Sequence, residues 1–470
     1  MSSHIFRRVL AIASAVLLSA CQSLSPDGGM STVAAIAGGG LNKDVVRINS
    51  AEDAAHARSE VSRLLHAPLN ADAAVQIALL NNAGLQAAYN RLGIAEAVAV
   101  QSSRPPLPMF SFDDVSTSIE LDIERKVIAS ILSLATWPTR SKVAGFRIEQ
   151  AELRAAEDTL RLAADTRKAY IRAVAAREIL ASLSAAKASA DASAMLMGKL
   201  SETGAVNTLN HARAQVFATE LDAQVTAARQ QADATREELT RLMGLWGGEL
   251  ANALPSALPP LRGKSPSLTA VQQEAMDRRV DLAVARLEVD ALARSYGLTR
   301  STRFINVLDA SAISKTQKDT GVPSADGGGF DVEFEVPIYD FGRAKTREAE
   351  QRYFEALNTL AAMAVNARSE AREAYGAYAS TRAIALKFER EVLPLRKTIS
   401  EQTELQYNAM QVDAFMLLQT ARESDAAKVA SIEAKRNFWL AATDLSSTVL
   451  GGGSLDSVDG TLIAASTASE

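Results

Sequence analysis

Carboxylates at every second position mark two short segments of the chain. The six residues are Glu120, Asp122, Glu124, Asp331, Glu333 and Glu335. The positions between them are apolar, so a strand conformation would put the carboxylates of each segment on one face and the apolar side chains on the other. A row of carboxylates along a narrow aqueous path favours the passage of cations.

The second residue with chemistry to offer is Cys21, the only cysteine in the 470 residues. It follows two arginines and an apolar run shorter than the roughly 20 residues that a spanning helix needs, so residues 1–20 are predicted to be an export signal. The end of this signal, Leu18-Ser19-Ala20-Cys21, resembles the lipobox of bacterial lipoproteins. That resemblance implies a covalent lipid on Cys21, and Gln22 after it implies an outer membrane address. The alternative is a stray small apolar thiol.

The other reactive side chains do not form a recognisable catalytic set. The histidines are His4, His56, His66 and His211, and no two of them have the spacing of a shared metal site. The sequence contains neither a phosphate-binding glycine loop followed by Lys-Ser or Lys-Thr nor a Gly-x-Ser-x-Gly turn. We therefore expect no enzyme activity, no metal and no cofactor beyond the covalent lipid.

Composition restricts the partners and the fold. The net charge is -5 with basic and acidic residues interspersed, so the chain has no basic stripe for nucleic acid. Aromatic residues make up only 5% while apolar residues reach 47%, and alanine supplies most of that surplus. This composition is typical of closely packed helices.

The chain contains an internal repeat, which must be recognised before any fold is assigned. Arg167-Lys168-Ala169-Tyr170 recurs as Arg372-Glu373-Ala374-Tyr375 at a shift of 205, and a pattern beginning at Gln76 recurs at Gln273 at a shift of 197. Each copy is predicted to contain a helix, two short strands and a long helical hairpin. The predicted segments are a signal peptide (1–20), a lipidated tether (21–64), a first repeat (65–250), a linker (251–267), a second repeat (268–453) and a disordered tail (454–470).

Two helical segments of more than sixty residues run from Arg140 to Thr203 and from Arg343 to Ala409. Each would be roughly 90 to 100 Å long if continuous. Pro394 predicts a kink or break in the second segment. An apolar stripe, typical of a packed helix, surrounds this proline. Its members are Ile384, Phe388, Val392, Leu395 and Ile399.

Each carboxylate segment has a weaker strand partner upstream, which predicts two hairpins, the second with a long loop from Lys315 to Gly329. Two interpretations stay open at this point. One is an ordinary sheet with a solvated acidic face. The other is a membrane barrel, which four strands cannot close alone because their unpaired edges are not tolerated in lipid; several chains would have to close it.

The stretch Val336-Pro337-Ile338-Tyr339-Asp340-Phe341-Gly342-Arg343-Ala344 resembles the strand-to-helix junction of the TolC-like outer membrane factors. The resemblance covers about residues 65 to 453, and the lipobox, the duplication and the order and length of the hairpins together make it specific. It implies a mainly α fold of long antiparallel helical hairpins with four transmembrane strands per chain. It also implies a homotrimer with a twelve-stranded β-barrel in the outer membrane and a helical tunnel in the periplasm. A periplasmic adaptor and an inner membrane transporter would be its partners, and efflux or type I secretion its function.

In this interpretation the six carboxylates face the barrel lumen, and the two helix reversals form a periplasmic tip that contacts the adaptor. The predicted tip residues are Gly204, Ala205, Val206, Asn207, Met410, Gln411, Val412, Asp413 and Phe415. The alternative for the tip is a pair of plain helix turns with no partner. The alternative for the whole protein is a lipid-anchored periplasmic coiled-coil scaffold without a pore.

Overall fold

The structure, a computed structural model, describes residues 25–116, 120–204, 206–246, 254–261, 266–319 and 321–451. The signal peptide, Cys21, Ala205 and the predicted tail lie outside these residues. The helices are α1 (Met30–Val33), α2 (Gly39–Leu41), α3 (Ala51–Leu65), α4 (Ala71–Asn81), α5 (Ala83–Ser103), α6 (Ile131–Glu202), α7 (Thr208–Leu242), α8 (Leu268–Arg278), α9 (Val280–Thr302), α10 (Arg343–Lys387), α11 (Leu393–Asn408) and α12 (Ala414–Leu450). The strands are β1 (Met109–Ser116), β2 (Glu120–Ser130), β3 (Val307–Asp319) and β4 (Ala325–Glu335). The chain is therefore mainly α with a small β part, as predicted.

The chain divides into two compact units, and each takes residues from both repeats. Within the described residues, unit 1 contains 25–32, Tyr89–Ala155 and Asp281–Ala364, and unit 2 contains the rest. The segment boundaries inferred from the sequence stay a prediction.

Unit 1 contains the sheet, which joins both predicted hairpins in the order β1-β2-β3-β4 with every neighbouring pair antiparallel. The predicted long loop from Lys315 to Gly329 is wrong. Strand β3 continues to Asp319 because it pairs with β2 along its whole length, and Gly327 to Gly329 pair with β3. Pairing with neighbouring strands has overridden the weak strand propensity of these glycines.

Unit 2 is built around the repeated Arg-x-Ala-Tyr segments. Tyr170 is buried with Ile77, Leu239 and Met243, and its hydroxyl donates to the carbonyl of Leu69 at 3.0 Å. Burial raises the pKa of the Tyr170 hydroxyl to about 12. A second cluster contains residues of α8, α10 and α12, so helices of the second repeat pack in a comparable way.

Helix α4 ends before Asn82, which has extended backbone angles and separates it from α5. The second repeat breaks at Arg279, also extended and 197 residues further on. Both side chains are held by polar contacts inside unit 2. The Asn82 amide donates to the carbonyl of Leu242 at 2.9 Å, and Arg279, only 4% exposed, pairs with Glu370 at 2.6 Å. Both breaks are therefore stabilised by tertiary contacts, which local helix propensity does not reveal.

The first long helix begins at Ile131 and not at Arg140, and it contains Pro138. Proline removes one backbone hydrogen bond from a helix. Here the Arg140 guanidinium donates to the carbonyl of Ser133 at 2.7 Å, and the Trp137 indole donates to the carbonyl of Ser103 at 2.5 Å. Side-chain bonds therefore stabilise a turn that proline weakens.

The second long helix is interrupted as predicted. A π-helical turn, Phe388–Val392, separates α10 from α11 and lies just before Pro394. The apolar stripe around it is packed only in part. Phe388 packs against the cluster formed by α8, α10 and α12. Ile384 and Ile399 are exposed, and Leu395 is 62% exposed.

Candidate functional site

Cross-strand pairing puts all six predicted carboxylates on one face of the sheet. Even-numbered residues of β2 pair with odd-numbered residues of β3, which in turn pair with odd-numbered residues of β4. Directly paired residues share a face, so β2 and β4 present their carboxylates on the same side. This carboxylate face also includes Asp113, Asp309 and Asp319, which the sequence analysis missed. Asp309 and Asp319 lie near the two ends of β3, and Asp319 falls in the segment predicted to be a loop, so the sequence does not show that they share a face.

The opposite face of the sheet is apolar toward the ends of β2 and β4 that join the helices. Its apolar members include Phe110, Phe112, Leu121, Ile123, Val127, Leu308, Phe330, Val332 and Phe334. Phe330 is 92% exposed, and Phe110 and Phe334 are also exposed. The described chain therefore leaves a contiguous apolar sheet face uncovered, which in a protein usually marks an interaction surface.

Several carboxylates on the acidic face have local partners. Asp122 pairs with Lys315 at 2.6 Å, and Asp331 pairs with Lys126 at 3.1 Å. Glu120 accepts a hydrogen bond from the Gln317 amide, and Glu335 accepts one from the Asn306 amide at 3.1 Å. The face therefore combines excess negative charge with two lysines.

The junction between β4 and α10 depends on three adjacent residues. The Asp340 carboxylate accepts hydrogen bonds from the backbone N–H groups of Gly342 at 2.9 Å and Ala344 at 3.0 Å. These bonds hold the pKa of Asp340 below its ordinary value. Phe341 and Gly342 both have positive φ angles, and a Cβ on Gly342 would overlap the carbonyl oxygen of Arg303. The turn into the helix therefore requires glycine at this position.

The two helix reversals share a residue with positive φ three positions before a capping side chain, but their closing hydrogen bonds span six residues in the first and five in the second. In the first, Gly204 has φ +74°, the N–H of Val206 donates to the carbonyl of Leu200 at 3.2 Å, and the side chain of Asn207 caps α7. In the second, Met410 takes φ +59°, the N–H of Gln411 donates to the carbonyl of Gln406 at 2.8 Å, and Asp413 caps α12. Met410 thus occupies a left-handed position that favours glycine, and its side chain is 94% exposed.

Both reversals belong to unit 2 and pack side by side. Met197 and Ala214 from the first hairpin form one apolar cluster with Ala414 from the second, and Val206 and Tyr407 lie against it. Of the predicted tip residues, the structure describes all but Ala205.

A groove of about 210 Å³ lies next to this cluster, between α7 and α12. The Arg213 guanidinium covers the Phe415 ring at 4.4 Å, and Arg422 lies over the Phe217 ring at 5.1 Å while pairing with Glu220. Arg213, Phe217 and Arg422 were missed from sequence, because a groove between separate hairpins leaves no local pattern.

No group of three or more His, Cys, Asp or Glu side chains among the described residues is arranged to hold a metal ion. None of the helices within the described ranges combines the length and apolar character needed to cross a membrane.

A four-stranded antiparallel sheet joined to two long helical hairpins is the fold of the TolC-like outer membrane channels, as solved structures show. The outer membrane channel OprN has a TM-score of 0.69 and 17% identity, with 92% of this chain and 96% of that chain covered. The CmeC channel of Campylobacter jejuni has a TM-score of 0.69 and 16% identity, covering 86% of this chain and 89% of that one. The open MtrE channel of Neisseria gonorrhoeae has a TM-score of 0.67 and 16% identity, covering 83% and 89%.

No protein-family model and no curated protein matches the sequence. The structural similarity confirms the predicted resemblance at the level of the fold. These three similar structures are described as outer membrane channels.

Proposed function

We propose that this chain is one protomer of a homotrimeric outer membrane channel, the exit duct of a tripartite efflux or type I secretion system. The observation that carries the proposal is the register of the sheet. Toward the ends of the strands that join the helices, it places apolar side chains of all four strands on the face opposite the carboxylates. A membrane strand with lipid on one side and water on the other has this alternation.

The free edges of the sheet supply the argument for an oligomer. Among the described residues, β1 and β4 each pair with one strand, so each leaves a row of backbone groups unpaired there. Such edges are not tolerated in the hydrocarbon layer. Three copies joined edge to edge would close a barrel of twelve strands, with Phe330 and its neighbours toward lipid and the six predicted carboxylates toward the lumen.

The helical hairpins of unit 2 would then extend into the periplasm, and the exposed stripe of Ile384, Leu395 and Ile399 would pack between copies. The reversals and the groove between α7 and α12 would contact a periplasmic adaptor, which connects the duct to an inner membrane transporter. A lipid-anchored coiled-coil scaffold without a pore gives no role to the apolar face of the sheet.

The lumen assignment is tested by neutralising the six predicted carboxylates to Asn or Gln. We expect wild-type protein to conduct ions in planar bilayers and to prefer cations, since carboxylates line the path. The six-fold variant should show a lower cation-to-anion permeability ratio and an unchanged trimer. A ratio equal to that of wild type would place these side chains away from the conduction path, and a wild type that forms trimers but does not conduct would contradict the channel.

The anchor is tested separately with Cys21→Ala, which removes the thiol that lipoprotein acylation requires. We expect the variant to accumulate as unprocessed, unacylated precursor, and we expect wild type to carry an acyl mass on Cys21. The barrel should still retain some variant protein in the membrane, because the lost acyl chain would contribute only marginal membrane binding. Mass spectrometry of membrane-purified wild type that finds an unmodified Cys21 would refute the lipid anchor.

A further inference from the structure

The carboxylate face contains three places where two acidic residues lie directly opposite each other on neighbouring strands. These cross-strand pairs are Asp113 with Glu124, Glu120 with Asp319, and Asp309 with Glu333. Like charges directly opposite one another destabilise a sheet. Each pair therefore needs a compensating group.

Two of the pairs have that group within the chain. Glu124 lies directly opposite Lys315, which also pairs with Asp122, and Asp113 accepts a hydrogen bond from the Ser111 hydroxyl at 3.0 Å. In the second pair, Glu120 accepts a hydrogen bond from the Gln317 amide. Both pairs are therefore relieved by neighbouring side chains.

The pair of Asp309 and Glu333 is different. Asp309 Oδ1 is buried and, within the described part of the chain, has no hydrogen-bond partner. The nearest lysine on this face of β2, Lys126, is already paired with Asp331. No described side chain forms an ion pair with Glu333, so the negative charge of this pair is not compensated from within unit 1.

Ser311 provides an independent sign of a ligand. It lies two residues from Asp309 on the same face of β3 and opposite Asp331. Its side chain is only 6% exposed, yet its hydroxyl has no partner among the described residues. A buried hydroxyl without a partner costs free energy, and here it lies two residues from Asp309, whose Oδ1 also has no hydrogen-bond partner among the described residues.

We propose that Asp309, Glu333 and the Ser311 hydroxyl bind a hard divalent cation on the carboxylate face. Cations such as Ca²⁺ take oxygen ligands from carboxylates and other oxygens, with water completing the coordination. One cation would neutralise the opposed pair and satisfy the buried oxygen atoms of Asp309 and Ser311. Two carboxylates and one hydroxyl make a weak site, suited to ions that bind and leave.

This inference rests on the proposed channel, because it concerns the inner face of its barrel. A trimer would carry three such sites at one level of the lumen, formed near the helix-proximal ends of β3 and β4. An ion held there would delay the passage of monovalent cations. The selectivity of the barrel would then depend on Asp309 and Glu333 more than on Asp122 and Asp331, whose charges are paired with lysines.

The test uses purified full-length protein in detergent, titrated with Ca²⁺ by isothermal calorimetry, alongside Ca²⁺ block of K⁺ current in planar bilayers. Wild type should bind with a Kd of about 10⁻⁴ to 10⁻³ M, as open sites of this type do. Asp309→Asn and Glu333→Gln should each weaken binding at least about fivefold, since each removes one of two unit charges at contact distance. Asp319→Asn is the matched control: it removes a charge from another opposed pair on the same face and should leave the Kd unchanged.

The outcomes separate the two claims. Wild type that binds no Ca²⁺, or binding that falls equally in Asp319→Asn, would overturn the site whether or not the protein conducts. Ca²⁺ binding that depends on Asp309 supports the site even if the protein carries no current. The absence of current would refute the channel and leave the site intact. Current in wild type with Ca²⁺ block unaffected by Asp309→Asn would keep the channel and reject the site.

Discussion

Val412→Asp is expected to abolish export in cells while the trimer still assembles and inserts into the outer membrane. Val412 lies between the exposed Met410 and the capping residue Asp413, at the reversal that we propose contacts the adaptor. A carboxylate buried at that contact without a partner would cost on the order of several kcal/mol. A cost of about 3 kcal/mol weakens binding roughly a hundredfold. The measurement is efflux in cells that contain the cognate pump, with trimer yield in outer membrane fractions beside it.

The matched control for this variant is Val322→Asp, the same substitution at an exposed valine between β3 and β4. It should leave export intact, because that loop is not proposed to contact the adaptor. Gly204→Arg tests the other reversal less cleanly, since Gly204 has φ +74° and any side chain there strains the backbone. Normal export by Val412→Asp would mean that the adaptor contacts the duct along its sides.

Gly342→Ala is expected to destabilise the protein by about 2–4 kcal/mol, from backbone strain at positive φ and from overpacking. The added methyl group would overlap the carbonyl oxygen of Arg303, which is backbone and cannot rotate away. The turn that joins β4 to α10 would have to shift. We expect a lower apparent melting temperature and a lower yield of trimer in detergent.

Gly376→Ala is the matched control, since Gly376 lies inside α10 and a Cβ there meets no heavy atom within 4 Å. Alanine is the better helix former by up to about 1 kcal/mol, so this variant should be as stable as wild type or more so. The same substitution would therefore have opposite effects at two positions 34 residues apart. Equal melting temperatures for the two variants would contradict the strained junction.

The features that could be predicted from sequence are those with a local period. The alternation around Glu120 and Asp331 predicts two strands, and the register shows that their carboxylates share a face. Pro394 predicts the break in the second long helix because proline acts on the turn that contains it. The helix reversals follow from short runs of turn residues.

The features that could not be predicted depend on residues far apart in the chain. β3 extends to Asp319 only because β2 lies beside it, so Asp309 and Asp319 could not be recognised as part of one acidic face. The breaks at Asn82 and Arg279 are held by Leu242 and Glu370, each more than ninety residues away. The groove of Arg213 and Phe415 requires two separate hairpins to meet.

The π-helical turn at Phe388–Val392 lies in a segment that is one residue longer in the second repeat than in the first. Arg167 and Arg372 are 205 residues apart, as are Arg177 and Arg382, but the capping residues Asn207 and Asp413 are 206 apart. The segment from Arg382 to Asp413 is therefore one residue longer than the segment from Arg177 to Asn207. A π turn closes its hydrogen bond over five residues where an α turn uses four, so it takes up one extra residue without displacing the reversal beyond it. In the first repeat this segment is one residue shorter, and α6 is uninterrupted. In the second repeat the π turn accommodates the additional residue, and Asp413 still caps the helix after the reversal.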